Sequence, residues 1–272
     1  MPYAEHLKED AFRPETGQTL FPRGLAQAEG AHFSLDALLL ACFAPEADAA
    51  VDLGAGCGVV GLGLLLLRRT RSVLALELDS DQAEAARENA RTLGFAEACT
   101  VRVCDVFDPA APSASADAPL PLAVTNPPWR IRGAERLPAS PRRQHALYGT
   151  AETLPRFAQA AARRLERGGA FCSVTGAYRL PDLLAAMAAA GLSPSRLRCV
   201  HPRPGSPAGF VLVEARNRVS ARMVVEPPLF LHGPGHAQAY TSEAVRFCPW
   251  LERADEHGTF PYGTPQTPDN TD

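Results

Sequence analysis

The apolar residues of this chain fall into short runs that alternate with longer segments of helical spacing. Five apolar runs bounded by glycine or polar residues predict strands, at 50–54, 72–78, 100–104, 122–125 and 170–175. Four segments of helical spacing predict helices, at 59–69, 80–93, 150–166 and 181–190. Ser80 is the expected N-cap of the second helix, and Gly168-Gly169 and Gly191 should end the last two. The alternation predicts an α/β fold with a parallel sheet and helices on both faces.

Two more strands are predicted beyond these elements, at 196–200 and 209–215. The segment between them has no helical spacing, so they should pair as an antiparallel hairpin at an edge of the sheet. The complete prediction is a seven-stranded, mostly parallel sheet with an antiparallel last strand. In open sheets of this class the ligand binds outside the carboxyl ends of the strands.

The length fits one domain with short ends. Residues 1–20 and 254–272 have little apolar periodicity, so we predict flexible segments there and one domain over 21–253. The proline- and alanine-rich stretch 108–121 is predicted to be a peripheral loop. The longest apolar stretch, 59–67, is about half of the roughly 20 residues that a membrane-spanning helix needs. We therefore expect no membrane association.

Cysteine spacing and charge indicate the environment and the partner. The seven cysteines are scattered without a Cys-x-x-Cys pair, which predicts reduced thiols, a cytoplasmic location and no metal site. We also expect a monomer. The net charge of −3 hides a split, because residues 128–222 contain 16 Arg and 5 acids, a net of +11. This basic region favours a polyanionic partner, although arginines on solvated helix faces would give the same count.

A glycine-rich segment, Asp52-Leu-Gly54-Ala-Gly56-Cys-Gly58, follows the first strand and opens a helix. Glycines there permit positive φ angles and a close approach of the backbone to a ligand, as in the dinucleotide fingerprint. Asp52 favours S-adenosylmethionine over a pyrophosphate, because a carboxylate attracts the cationic amino acid end of that cofactor. Glu77 ends the second strand, where it can accept hydrogen bonds from ribose hydroxyls. Asp105 follows the third strand, within reach of an adenine amino group.

A second motif, Asn126-Pro127-Pro128-Trp129, follows the fourth strand at the same edge of the predicted sheet. The Asn126 side-chain oxygen and the Pro127 carbonyl can accept the two N–H bonds of an amino group and orient its nitrogen toward a methyl donor. The prolines fix φ and restrain the residues before them, which favours a stiff turn. Trp129 offers a flat surface for a base turned out of its stack. The pattern therefore indicates methyl transfer to an amino nitrogen.

The two motifs together resemble the amino-group methyltransferases of the Rossmann-like class, which carry an Asn-Pro-Pro-aromatic turn. Phe33-Ser-Leu-Asp36-Ala-Leu-Leu-Leu40, Pro228-Leu-Phe-Leu231 and Tyr240-Thr-Ser-Glu243 are similar to segments of the bacterial valine-tRNA adenine-N6 methyltransferase family. The resemblance spans about 24–247. It implies a Rossmann-like methyltransferase fold, S-adenosylmethionine as the cofactor with S-adenosylhomocysteine as its product, and transfer to adenine N6 in RNA, with tRNA as the expected partner.

The resemblance assigns roles to individual residues. The base would be held by Asn126, Pro127, Pro128 and Trp129. The cofactor would be held by Asp36, Asp52, Gly54, Gly56, Gly58, Glu77, Asp105, Val106 and Asn126. The RNA would contact Arg130, Arg132, Arg136, Arg142, Arg143 and His145. Two features depart from the family pattern. Ala146 stands where an acid often follows the Arg/His-rich stretch 142–145, and the insertion 108–121 is atypical.

Other functions fit parts of the sequence. A methyltransferase of protein glutamine or of a small molecule would use the same two acceptors, so the turn alone does not exclude it. The arginine-rich loop after the turn favours RNA. An RNA-binding protein with a vestigial cofactor site is disfavoured by the intact glycines and by Asn126. An NAD oxidoreductase would leave the segment 126–129 without a role.

Overall fold

The structure is a computed structural model that describes residues 21–28, 33–109, 119–131, 148–235 and 239–253. The predicted flexible ends, 1–20 and 254–272, and most of the predicted loop 108–121 lie outside these residues. The described strands are, in chain order, β1 (Ala49–Leu53), β2 (Ser72–Glu77), β3 (Cys99–Val103), β4 (Leu120–Thr125), β5 (Arg130–Ile131), β6 (Tyr148–Gly149), β7 (Leu165–Gly176), β8 (Leu192–His201), β9 (Phe210–Asn217), β10 (Val224–Val225) and β11 (Leu229–Phe230).

Six α-helices lie within the described residues, together with two short 3₁₀ segments. The helices are α1 (Leu35–Phe43), α2 (Val59–Leu66), α3 (Ser80–Thr92), α4 (Thr153–Arg164), α5 (Leu180–Ala189) and α6 (Ser242–Phe247). The 3₁₀ segments are Ala177–Arg179 and Pro249–Arg253. The sequence pattern predicts α2 to α5 but not α1, whose buried residues run almost without a polar break.

The seven long strands form one sheet in the order β3-β2-β1-β4-β7-β9-β8. All neighbours from β3 to β7 are parallel, whereas β9 runs antiparallel to both β7 and β8. The predicted seven-stranded sheet with its antiparallel last strand is therefore confirmed. The two-residue strands β10 and β11 add to the edge by pairing in parallel with β8, and β5 pairs with β6 as a separate ribbon.

Two apolar clusters cover the two faces of the sheet, as the sequence predicts. Helices α1, α2 and α3 pack on one face together with Trp250, and helices α4 and α5 pack on the other. Strand residues alternate between the clusters: Leu122 belongs to the first and Ala123 to the second. Side chains point alternately to opposite faces of a strand, so each central strand contributes to both clusters.

Three predicted details of the helices are wrong. Helix α2 ends at Leu66 rather than at 69, because Arg68 has a positive φ of 55° that ends helical geometry. Helix α3 is capped by Asp79 rather than Ser80, since the Asp79 carboxylate accepts the N–H groups of Asp81 and Gln82. Helix α4 ends at Arg164, and strand β7 begins at the next residue and continues through both glycines that should have ended the helix.

Asn89 on α3 joins the N-terminal described segment to the glycine-rich loop. Its amide oxygen accepts the Ala26 N–H at 2.7 Å, and its amide nitrogen donates to the carbonyls of Ala26 and Cys57, both at 2.9 Å. The side chain is 2% exposed. One buried amide therefore satisfies three backbone groups that no helix or strand pairs.

Replacing Asn89 with alanine should lower the free energy of unfolding by about 2–3 kcal/mol, because buried backbone groups lose their partners. Urea denaturation measures this change. Glu88→Ala, at the neighbouring exposed position of the same helix, is the matched control and should stay within about 0.5 kcal/mol of the wild type. Equal stability of the two variants would show that the Asn89 bonds contribute nothing.

Candidate active site

The glycine-rich loop and the Asn-Pro-Pro-Trp turn begin side by side at the carboxyl ends of β1 and β4. These strands are parallel neighbours, with Asp52 opposite Val124. The Thr125 hydroxyl, which is fully buried, donates to the Leu53 carbonyl at 2.8 Å. The next residue on one strand is Gly54 and on the other Asn126. The two motifs that the sequence singles out therefore lie next to each other.

The loop after β1 has the backbone shape that its glycines were expected to allow. Gly54, Gly56 and Gly58 have φ angles of 71°, 56° and 86°, a region that other residues rarely adopt. Gly54 also lies close to α4, since a Cβ there would meet the Phe157 ring at 3.3 Å. The loop thus presents its backbone at the edge of the sheet and leads into the N-terminus of α2.

Glu77 holds the glycine-rich loop from the end of β2. One carboxylate oxygen accepts the Gly56 N–H at 2.7 Å, and the other accepts the Asp79 N–H at 2.9 Å. Burial raises the pKa of this carboxyl, partly offset by these backbone bonds. Each carboxylate oxygen has two lone pairs, so both retain acceptor capacity for the hydroxyls of a ribose.

Asp52 lies beneath the loop rather than on its surface. Its side chain is 1% exposed, and one carboxylate oxygen accepts the Gly61 N–H in the first turn of α2 at 2.9 Å. Burial raises the pKa of Asp52 to about 7, the Gly61 bond opposes this rise, and the charge on Glu77 adds to it. A positive charge at the loop would favour the ionised carboxylate. Asp52 is thus placed to act on a ligand through its field and through the loop that it supports.

The third predicted element of the cofactor site follows β3. Asp105 is exposed, and its Oδ1 accepts the Phe107 N–H at 2.8 Å, which fixes a turn, while Val106 is buried. Phe107 packs edge-on against Phe157 at 4.9 Å. The Arg156 guanidinium lies over the Phe107 ring, at 3.9 Å from its centre. Phe157 also fills the space where a Gly54 side chain would lie, so one aromatic pair joins this turn to the glycine-rich loop.

The carboxyl ends of the parallel strands form one edge of the sheet, which we call the rim. The turn after β4 presents its polar atoms at this rim. Asn126 is half-buried, and within the described residues its side-chain amide makes no hydrogen bond. Pro127 is buried and Pro128 half-buried. The Trp129 indole donates to the buried Asp36 carboxylate at 3.4 Å and packs edge-on against Phe210 at 6.1 Å. The ring is thus fixed from α1 and from β9.

Four residues that the sequence analysis did not select support this turn. A Cβ at Gly176 would approach the Trp129 ring to 2.8 Å, and one at Gly149 would collide with the Pro128 carbonyl oxygen. Arg179, 2% exposed, donates to the Trp129 carbonyl at 2.9 Å and pairs with Asp182 at 2.6 Å. The Tyr178 hydroxyl donates to the same carbonyl at 3.4 Å. The sequence analysis missed these four residues because they are close to the turn in space, and no sequence motif indicates that proximity.

The residues predicted to contact RNA are only partly described. The Arg130 guanidinium lies 5.5 Å from the centre of the Trp129 ring, a cation–π arrangement. The others lie outside the described residues: Arg132, Arg136, Arg142, Arg143 and His145. Asp36, expected at the cofactor, is 2% exposed and contacts Trp129 and the Ser34 hydroxyl. Asp36 therefore connects the segment before α1 to the turn.

Comparison with known proteins identifies the family. The sequence profile described as "Methyltransferase small domain" matches residues 34–184, which is more than half of the chain. The chain belongs to this family. The family is one of S-adenosylmethionine-dependent methyltransferases, and both motifs lie inside the matched region.

The chain is also similar to individual proteins. It is 34% identical over 144 residues to the tRNA1(Val) (adenine(37)-N6)-methyltransferase of Escherichia coli O1:K1 / APEC, covering 51% of this chain and 56% of that one. The protein of the same name from Shigella flexneri serotype 5b (strain 8401) is 33% identical over 153 residues, with the same coverages. The chain thus spans about half the length of these relatives.

A solved structure supports the fold. A predicted O-methyltransferase from Agrobacterium tumefaciens superposes with a TM-score of 0.61 at 24% identity, covering 79% of this chain and 96% of the other. At this identity the match shows the Rossmann-like fold alone, in agreement with the sheet order described above. It gives no information on the methyl acceptor.

The described residues fit the cofactor that the family uses. S-adenosylmethionine carries a nucleoside and two cationic groups. The rim offers hydrogen-bond acceptors for the nucleoside and negative charge for the cationic groups. Glu77 has lone pairs for a ribose, and Asp52 supplies negative charge beneath the loop. The positive φ angles of the glycines keep the loop backbone open to close contact. Within the described residues, no group of three or more metal-ligating side chains forms, and no helix is long and apolar enough to cross a membrane.

Asp52 should make the stability of the cofactor-free protein depend on pH. Its folded-state pKa of about 7 lies above the usual value of about 4, so the folded protein holds this proton more tightly than the unfolded chain. The stabilisation is complete below about pH 4 and is lost as the pH rises through about 7.

Asp52→Asn removes this titration. Urea denaturation of both proteins from pH 5 to pH 8 should show the wild type losing stability relative to the variant, by at most about 1.4 kcal/mol per pH unit. Glu77 titrates in both proteins, and only its charge interaction with Asp52, the smallest of the three causes of the Asp52 shift, distinguishes them. A stability difference that stays constant over this range would mean that Asp52 is not held protonated by burial.

Proposed function

We propose that this protein is an S-adenosylmethionine-dependent methyltransferase that transfers the methyl group to the exocyclic N6 of adenine in RNA, most specifically in a tRNA. The observation that carries the proposal is the placement of the Asn126 turn. Thr125 fixes the start of the turn to the carbonyl before Gly54, so the amino-group acceptors begin beside the cofactor loop. Trp129, held in place by Asp36 and Arg179, follows directly.

The residues of the turn divide the work of the reaction. S-adenosylmethionine supplies an electrophilic methyl group when bound. The Asn126 oxygen and the Pro127 carbonyl accept the two N–H bonds of the acceptor, which directs the nitrogen lone pair out of the ring plane toward that group. Pro127 and Pro128 keep the acceptors in one arrangement. Positioning of this kind accounts for much of the rate enhancement in two-substrate reactions.

Three observations favour RNA as the acceptor. The similar proteins from E. coli and S. flexneri are named tRNA adenine-N6-methyltransferases. Two aromatic rings lie at the turn, because Trp129 packs edge-on against Tyr178, which is 63% exposed. Arg130 adds a positive charge beside them, within the basic region 128–222. Aromatic faces and cations together are typical of sites that bind unpaired bases.

The proposal is tested by label transfer. Purified protein, S-adenosylmethionine with a radioactive methyl group and total RNA from a strain that lacks this gene should give labelled RNA. Digestion to nucleosides should release the label as N6-methyladenosine. Cofactor binding without any transfer to RNA would contradict the proposal and would favour an amino group of a protein glutamine or a small molecule.

Asn126→Ala should reduce methyl transfer by on the order of 100-fold or more, because a positioned acceptor at the reacting nitrogen is lost. Cofactor affinity, measured by calorimetry, should stay near that of the wild type. If the variant loses cofactor affinity in parallel with activity, Asn126 supports the cofactor loop and is not the amino-group acceptor.

Arg179 should affect catalysis through the turn. Arg179→Gln removes the ion pair and weakens the bond to the Trp129 carbonyl, so kcat should fall about 10- to 100-fold with little change in cofactor affinity. Arg179→Lys should recover part of the loss, because it can still donate to the carbonyl.

Arg216 provides the matched control for Arg179. It also contacts a backbone carbonyl, that of Gly168, and a carboxylate, that of Glu214. It lies opposite Ala170, six residues along β7 from Gly176, which contacts the turn. Arg216→Gln should leave kcat unchanged. An equal loss in both variants would mean that the effect is one of general stability.

A further inference from the structure

The rim of the sheet is divided by charge. On the side of β1, β2 and β3 it carries the carboxylates of Asp52, Glu77, Asp79 and Asp105. On the side of β7, β9 and β8, the chain segments that reach the rim are 173–181, 199–213, 227–235 and 239–241, and their sequence contains neither Asp nor Glu. We call these four segments the acid-free rim. The Asn126 turn lies at the boundary, since β4 stands between β1 and β7.

Strand register shows that the acid-free rim is continuous with the turn. Gly176 at the end of β7 lies opposite Phe210 on β9, which in turn lies opposite Val200 on β8, and Val200 pairs with Leu229 on β11. Trp129 packs on Phe210, so the row begins at the catalytic turn. Three strand spacings cover about 14 Å. This distance accommodates a few nucleotides at about 3.4 Å for each stacked step.

The acid-free rim carries aromatic and cationic side chains. Tyr178 lies at its beginning, beside Trp129, and is the one aromatic among the large, strongly exposed apolar side chains of the described residues. At its far end the His232 ring stacks on Tyr240 at 4.7 Å with an angle of 25° between the planes. Near the same end, Arg203 donates to the Gly233 carbonyl at 3.2 Å, which joins the loop after β8 to the segment after β11.

Two histidines of this rim share one hydrogen-bonding arrangement. His201 Nδ1 is 2.8 Å from the Ser206 carbonyl oxygen, and His232 Nδ1 is 3.1 Å from that of Ala239. A carbonyl only accepts, so the proton of each neutral ring is on Nδ1. Nε2 is then the nitrogen that each histidine can offer to a ligand, as an acceptor when neutral and as a donor when protonated.

The carboxylates that border the acid-free rim are already paired with arginines. Asp182, at the start of α5, pairs with Arg179 at 2.6 Å. Glu243, on α6, pairs with Arg198 at 2.7 Å. Glu226, just before the third segment, pairs with Arg196 at 3.2 Å, and Glu214, just after the second, pairs with Arg216 at 2.7 Å. Their charges are therefore compensated locally, and an approaching polyanion meets little repulsion on this side.

We propose that the acid-free rim binds the RNA strand that flanks the methylated adenine. Tyr178 stacks on a neighbouring base, and Arg203 with the two histidines contacts phosphates and base edges farther along. This inference rests on the proposed function and extends it by giving the path of the substrate. It also explains why the rim is divided by charge. The cationic cofactor binds beside the carboxylates, and the anionic substrate binds along the acid-free rim.

The test compares variants at Tyr178 and Arg203 with controls matched for residue type. Tyr178→Ala removes the ring, whereas Tyr178→Phe keeps it and loses only the hydroxyl bond to the Trp129 carbonyl. Arg203→Gln removes a charge from the acid-free rim. Arg167→Gln removes one from the exposed position near the start of β7, at the opposite end of the strands. Thermal unfolding of each variant checks that it is folded.

The probe is bulk tRNA from a strain that lacks this gene, and binding is measured at several salt concentrations. Tyr178→Ala should weaken RNA binding about tenfold, the usual effect of losing one stacked base, and Tyr178→Phe should match the wild type. Arg203→Gln should weaken binding and reduce the slope of log affinity against log salt by about one. Arg167→Gln should change neither, and cofactor affinity should stay constant in all four variants.

The outcomes separate this inference from the function on which it rests. If the wild type methylates RNA but Tyr178→Ala and Arg203→Gln bind it normally, the path is wrong and the function stands. A loss in Arg167→Gln equal to that in Arg203→Gln would likewise overturn the path, because the effect would then follow overall charge. If the wild type neither binds nor methylates RNA, the proposed function fails and the path with it.

Discussion

The site depends on the buried contact between the ends of β1 and β4. The Thr125 hydroxyl donates to the Leu53 carbonyl in a place without solvent, so the strands end at a fixed offset. Everything beyond that point is loop: the glycine-rich loop after β1 and the Asn-Pro-Pro-Trp turn after β4. The central parallel strands hold the starting points of both loops, and the side chains of the rim then determine which ligand each loop contacts.

Each loop is held by contacts from other elements. Glu77 binds the glycine-rich loop from β2, and Asn89 binds it from α3. The turn is held by Asp36 from α1 and by Arg179 from the segment after β7. Buried polar groups need partners of this kind, so the same bonds that stabilise the loops also fix their geometry. The two loops therefore lose their conformational entropy when the protein folds rather than when the ligands bind.

The sequence predicted the sheet, its antiparallel last strand and the placement of both motifs at one edge of the sheet, because apolar periodicity and glycine or proline placement are local signals. It misplaced helix ends where tertiary contacts decide, as at Arg164, where β7 begins because Leu165 pairs with Leu120. Gly176 and Arg179 were missed for the same reason. Their roles depend on packing against Trp129, which lies some 50 residues earlier in the chain, and no spacing rule connects the two segments.

The proposed division of the rim into an acidic cofactor side and an acid-free substrate side can be tested by separate binding measurements on two variants. Glu77→Ala and Arg203→Gln would each be titrated with S-adenosylhomocysteine alone and with bulk tRNA alone. Glu77→Ala should weaken the binding of S-adenosylhomocysteine and leave RNA binding unchanged, whereas Arg203→Gln should weaken RNA binding and leave the binding of S-adenosylhomocysteine unchanged. Weakening of the same ligand by both variants would contradict the division.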